Sequence, residues 1–335
     1  MKLNQISIIF ILLNILTVSG CTTVPVNVVE WAPKSEPSIR FKGDVGGIAF
    51  SDGDVWFTES IPKHRFFPLG NENSVQRVNL QTGQVLARII TDSPVAHIAE
   101  GEGAVWIASS GKDQVLRIDP KTNRIAAVIT VGRKCGAIAV GEGGVWVANP
   151  YNGTITRIES TSNKIAATIP VGKVPTAIAV GEGSIWVTNK LDGTVSKIDP
   201  GTNRVTATIQ VVKDAAGMAV GEGFLWVVRY AGVNGWRSEL LKIDPSSNRV
   251  LGEPTRLGGA AWQVTVGGGA VWLNHSGYDS TFVKDVVYKI DPRTDRVVEI
   301  PSSNITMLEV NNGNVWVVAY TPFGGQFYLS RLLVK

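Results

Sequence analysis

Apolar residues recur along this chain in short runs with turn-forming clusters between them. Thr176–Gln210 reads TAIAVGEGSIWVTNKLDGTVSKIDPGTNRVTATIQ and holds four such runs: Ala177–Val180, Ile185–Thr188, Thr194–Ile198 and Arg204–Ile209. Ile, Val and Thr suit a pleated, half-buried surface. No window sustains a helical period. The first join, Gly181-Glu182-Gly183, supplies the positive φ of a tight hairpin. The second spans Asn189 to Gly193. The third, Asp199-Pro200-Gly201-Thr202-Asn203, combines a fixed Pro φ with side chains that bond nearby backbone. The segment predicts a four-stranded antiparallel sheet.

The block recurs at Gly136–Pro170 and Ala96–Thr130, and its fixed point is a Trp: Trp56, Trp106, Trp146, Trp186, Trp226, Trp272 and Trp316. The gaps are 50, 40, 40, 40, 46 and 44 residues, which makes seven copies. A sheet of about 40 residues cannot bury both faces alone, whereas radial repetition buries each against the next. The expected fold is therefore all-β, a seven-bladed β-propeller. A Trp present in every blade serves what all blades share, which is packing between them. The last copy has only three runs, Ile305–Val310, Asn314–Tyr320 and Phe327–Val334. Ser38–Lys42 alternates apolar and polar residues ahead of the first copy. It is expected to be the outer strand of blade seven, closing the ring and removing its edges.

Composition narrows the function. The chain has 335 residues, 36 glycines and a net charge of +4, with Lys and Arg scattered rather than clustered. It shows no nucleic-acid footprint. Ile6–Val18 is an apolar stretch too short for a comfortable span and suited to a signal-peptide core. The Val18-Ser19-Gly20-Cys21 that ends it resembles the lipobox of bacterial lipoproteins. That resemblance implies cleavage before Cys21 and lipid on its sulfur. Thr22 follows where such lipoproteins often carry a retention Asp, which points to the outer membrane, facing the periplasm, in a diderm cell. The expected organisation is a signal peptide over 1–20, a Pro-bearing tether over 21–37 and a propeller over 38–335, working as a monomer.

The elaborated loops fall at one place in the repeat, between the second and third strands. They are Glu59–Ser74, Arg229–Arg237, His275–Val283 and Thr321–Gln326. In a propeller these loops share a face with the connections between blades, and variable loops on a rigid scaffold carry binding. The residue three past each Trp ends the second strand there: Glu59, Ser109, Asn149, Asn189, Arg229, His275 and Ala319. These positions read as a polar rim in which Glu59, Arg229 and His275 are ligand candidates. Arg133, Lys134, Lys173 and Lys213 on the connections read as a basic collar for an anionic ligand. Tyr230, Trp236, Tyr278 and Phe323 add stacking surfaces for a protein, peptide or glycan partner. On inner strands, His97 and Glu100 replace small or aliphatic residues, and Glu309 stands where five blades have Ala. A carboxylate there needs a partner or water. Cys135 reads as a small buried hydrophobe; the alternative is a thiolate favoured by Arg133 and Lys134, paired with His97.

The pattern Ile-Ala-Val-Gly-Glu-Gly-x-Val-Trp-Val-x-Asn, then Gly-Thr-Val-x-x-Ile-Asp-Pro-x-Thr-Asn-x-Val, resembles the YVTN-type repeat propellers. It is also similar to the group that includes the virginiamycin B (streptogramin) lyases, from about Gly46 onward, with Asp54-Val55-Trp56-Phe57-Thr58-Glu59 as the nearest signature. Resemblance to those lyases implies His and Glu residues acting with Mg²⁺ to open a lactone by elimination. Their Glu-x-His pair is missing here, and the only histidines are His64, His97 and His275. The principal reading is an envelope-anchored binding or scaffold module without catalysis, cofactor or metal. The alternative is a metal-dependent lyase or lactonase with a rearranged site using Glu59, His97 or His275 and Mg²⁺ or Ca²⁺.

Overall fold

The structure is a computed structural model. It describes residues 39–332 apart from 52, 63–70, 96, 110, 231–237, 276–284, 303 and 322–325. The expected signal peptide, Cys21 and the tether lie outside the described residues. Seven four-stranded antiparallel sheets follow one another around a ring, so the fold is a seven-bladed β-propeller. Blade four shows the pattern: Pro175–Gly181 innermost, then Ser184–Asn189, Thr194–Asp199 and Arg204–Gln210 outermost.

In blades two to seven the hairpin after the inner strand is tight because two successive residues hold positive φ. In blade four these are Glu182 at 54° and Gly183 at 64°. Sequence reasoning assigned the left-handed positions to glycine alone. The hairpin takes the twist-matched form, which requires both central residues there, and Glu102, Glu142 and Glu222 do the same.

The ring closes as the pattern implied. Ile39–Phe41 pairs antiparallel with Gln326–Leu332 and completes the sheet of blade seven. Ile39 and Phe41 are buried against Val55, Phe57 and Val78 of blade one. Blade one departs from expectation. Glu59–Ser74 is not wholly loop, because pairing between its second and third strands continues out to Pro62 opposite Asn71.

Three contacts repeat between blades. Trp106, Trp146 and Trp186 are fully buried, and each packs on the following blade, as Trp186 does on Leu225 and Val227. Each indole N–H stays satisfied by the carbonyl five residues back; Trp146 donates to Gly141 at 3.0 Å. Next, a cation on the third strand lies over that ring and reaches the next blade's Asp-Pro turn. Arg157 stands 5.0 Å from the Trp146 ring and donates to the Pro200 carbonyl at 2.5 Å and Asn203 Oδ1 at 2.8 Å. Arg77, Lys197 and Lys242 reach Pro120, Pro245 and Pro292 in the same way. Finally, the Gly that ends one inner strand faces a Val of the next. A β-carbon on Gly101, Gly141, Gly181, Gly221 or Gly267 would lie 2.7–2.8 Å from a methyl of Val140, Val180, Val220, Val266 or Val310. The match lapses around the seam, where Asn311 and Ser51 replace Gly, and Phe50 and Glu100 replace Val in the blades that follow them.

Candidate functional site

One face of the ring carries the hairpins between strands one and two and between strands three and four. The other carries the loops between strands two and three and the connections between blades. On this loop face each connection is stapled to a neighbouring loop. Val131, Val171 and Val211 donate backbone bonds to Asp113, Gly153 and Gly193, each at 2.9 Å. Asn152 Oδ1 accepts the Arg133 N–H at 2.9 Å, Asp113 Oδ1 the Lys134 N–H at 2.6 Å, and Asp192 Oδ2 the Lys173 N–H at 2.7 Å. The chain turns inward through a left-handed residue, Lys134 (φ 54°), Val174 (φ 55°) or Asp214 (φ 66°). Arg133, Lys173 and Lys213 thus occupy equivalent exposed positions on three successive connections, with Lys134 one residue further on and also exposed.

The residues three past the Trp are not the solvated rim expected of them. Glu59, Ser109, Asn149, Asn189, His275 and Ala319 are buried, because the connection crosses over them and needs hydrogen-bond partners. Glu59 Oε1 accepts the N–H groups of Lys42 and Gly43 at 2.8 and 3.0 Å, and its Oε2 accepts Gln76 Nε2–H at 2.5 Å. Asn189 Oδ1 accepts the Gly172 N–H at 3.0 Å while its Nδ2 donates to Thr194 and Ser196 hydroxyls. Gly172 itself is required, since a β-carbon would come within 2.6 Å of the Asn189 side chain. Arg229 donates through Nε and Nη2 to Glu239 Oε2 at 2.8 and 2.5 Å. His275 fills the space above Gly259, where a β-carbon would lie 1.9 Å from its ring. Glu59, Arg229 and His275 are therefore built into three different blades, not gathered into one pocket.

The inner strands hold the remaining polar candidates. His97 and Glu100 are exposed to water within the ring. Surrounding protein desolvates the His97 imidazole and holds its pKa below the ordinary value. Glu309 bridges blades six and seven, accepting from Gln263 Nε2 at 2.8 Å and Thr265 Oγ1 at 3.3 Å. Burial outweighs those bonds and pushes its carboxyl up to about 7. Cys135 is buried, with its thiol 3.4 Å from the Gln114 carbonyl. Desolvation, with Asp113 nearby, raises its pKa to about 11, which fits the expected buried core side chain and not the alternative thiolate. Among the described residues no three His, Cys, Asp or Glu converge as metal ligands.

Tyr278, Trp236 and Phe323 lie outside the described residues, as does the side chain of Tyr230. Sequence reasoning missed three other apolar groups on this face. Tyr151 and Leu191 occupy the same loop position in blades three and four and are 71% and 56% exposed. Trp262 begins the inner strand of blade six and is 52% exposed at the mouth of the ring. Their signal was legible: each is a large apolar residue five past the core Trp, or at a strand start where other blades carry small residues or Thr.

No protein-family model matches this chain, and no curated protein matches it. Solved structures do. Hydrazine synthase of Kuenenia stuttgartiensis is 13% identical with a TM-score of 0.68, over 88% of this chain and 98% of that one. The WD40 repeats of RRP9 are 11% identical with a TM-score of 0.68, over 91% and 100%. BamB from Moraxella catarrhalis is 13% identical with a TM-score of 0.62, over 92% and 99%. At these identities the likeness is one of fold.

Proposed function

We propose that this protein is a lipid-anchored envelope propeller of the YVTN type that binds or scaffolds a partner through its loop face, without catalysis. One observation carries the reading. The polar residues that end the second strands are consumed in holding the connections, while Arg133, Lys134, Lys173, Lys213, Tyr151 and Leu191 are left exposed on that face, with Asp92 and Asp214 among them. Such a surface is suited to contact rather than to chemistry.

The orientation supports it. The outer strand of blade seven runs from Ile39, opposite Leu329, to Phe41, opposite Phe327. Its Ile39 end therefore lies toward the hairpin face. In this reading the chain from a lipidated Cys21 enters the ring on the hairpin face, opposite the loop face.

The residues a metal-dependent lyase would need do not fit. Both oxygens of Glu59 are engaged, His275 is packed over Gly259, and His97 belongs to a different blade from either. We derive no step through a metal. The anchor is tested by fractionating cells that make the full chain or its Cys21→Ala variant. The wild type is expected in the membrane fraction carrying a metabolically incorporated palmitate analogue, and the variant without lipid. A wild-type chain that never takes up the label would overturn the anchored reading.

A further inference from the structure

Two successive connections carry an exposed cation at the same repeat position, each next to a loop with an exposed apolar residue. Arg133 lies 5.7 Å from the ring of Tyr151. One blade on, the Leu191 N–H donates to the Lys173 carbonyl at 3.3 Å, which sets Leu191 beside Lys173. Lys213 repeats the cation a third time. Two nearby acids are engaged, Asp113 and Asp192 accepting the backbone N–H groups of Lys134 and Lys173, while Asp214 follows Lys213 on the surface. The side-chain charge of Arg133, Lys173 and Lys213 enters no ion pair among the described residues.

We infer that this arc, formed by Arg133, Tyr151, Lys173, Leu191 and Lys213, is the docking strip for an extended acidic segment of a partner polypeptide bearing aliphatic or aromatic side chains. The inference deepens the binding reading and rests on it. Charge complementarity selects the acidic partner. The regular alternation of cation and exposed hydrophobe selects a polypeptide. An extended chain presents side chains of both kinds at fixed intervals, whereas a polyanionic glycan or a lipid headgroup has no aliphatic side chain to set against Leu191 at that spacing from the cations.

The test uses the full chain and a short fluorescent peptide of alternating Glu and Leu, with a Glu and Ser peptide, heparin and phosphatidylglycerol vesicles as comparisons. Anisotropy should show salt-sensitive binding of the Glu–Leu peptide. Reversing Arg133, Lys173 and Lys213 to Glu should weaken it about tenfold or more. Replacing Tyr151 and Leu191 by Ser should weaken it several-fold while leaving heparin unaffected. A Lys164→Glu and Arg204→Glu variant on the hairpin side should bind as wild type. The inference is overturned if the Glu–Ser peptide, heparin or vesicles bind as tightly as the Glu–Leu peptide, or if the hairpin-side variant is the one that loses binding. If cross-links from the loop face to a cellular partner persist in the charge-reversed variant, the binding reading stands and this choice of partner fails alone.

Discussion

Arg157 and Pro200 sit in neighbouring blades, and the guanidinium of one donates to the carbonyl of the other at 2.5 Å. The same guanidinium covers the Trp146 ring and bonds Asn203. A single side chain thus caps the aromatic core of one blade and fastens the outer turn of the next. A half-buried charged hydrogen bond contributes about 1.5–3 kcal/mol. Arg157→Ala is therefore expected to lower stability by about 2 kcal/mol in urea unfolding. Arg157→Lys should lose less, because Lys197 and Lys242 make the equivalent reach.

The Gly141–Val180 contact gives a second test. Gly141 has φ 145°, and a β-carbon on it would lie 2.8 Å from Val180 Cγ1. Gly141→Ala should destabilise by about 1–3 kcal/mol, the usual range for overpacking. Adding Val180→Ala should recover part of that loss, so the double-mutant cycle gives a favourable coupling. Strictly additive losses would show that the strain is in the backbone alone.

Much of this fold was legible in the sequence, and the reason is physical. The Trp spacing counts blades, and a three-run final copy demands a strand from elsewhere, which Ile39–Phe41 supplies. The latch from Arg157 was hidden because its partners lie 43 and 46 residues away and because Arg, Arg, Lys and Lys at one repeat position look like surface charge. Glu59 and Asn189 misled in the opposite direction. A polar residue ending a strand beside a loop looks solvated, but here the incoming connection covers it and takes its hydrogen bonds.

Glu309 makes stability depend on pH. Its carboxyl titrates near 7 in the fold, against an ordinary value of 4.5. Between those values the folded state holds a proton that the unfolded state has released, so stability falls as pH rises through this window and levels off above it. The span corresponds to about 3 kcal/mol. His97, whose pKa is lowered, acts in the opposite sense, its stability term rising with pH up to about 6.5. Comparing Glu309→Gln with wild type across this range isolates the carboxylate. The variant should lose the descending limb, and an unchanged pH profile would contradict the assignment. The lowered Asp119, Asp199, Asp244 and Asp291 act at more acidic pH, their stabilisation fading as pH drops below 3.8, for Asp244 toward about 2.

Closure of the ring rests on a short strand with large side chains. Phe41 is 2% exposed and meets the Phe57 ring edge-on at 4.4 Å. Phe41→Ala should cost about 3–5 kcal/mol, as other buried Phe truncations do. Hydrogen exchange should then rise first in Gln326–Leu332 and in the blade-one strands that pack on it. Uniform deprotection around the ring would show that closure is not local.

The central claim is that the loop face binds and the hairpin face does not. It is tested most directly by placing a photo-crosslinking amino acid at Leu191 or Lys213 on the loop face and at Lys121 or Lys164 on the hairpin side, in cells that make the full chain. The account expects the same discrete adduct from both loop-face positions and none from the hairpin-side pair. Adducts confined to Lys121 and Lys164 would contradict it.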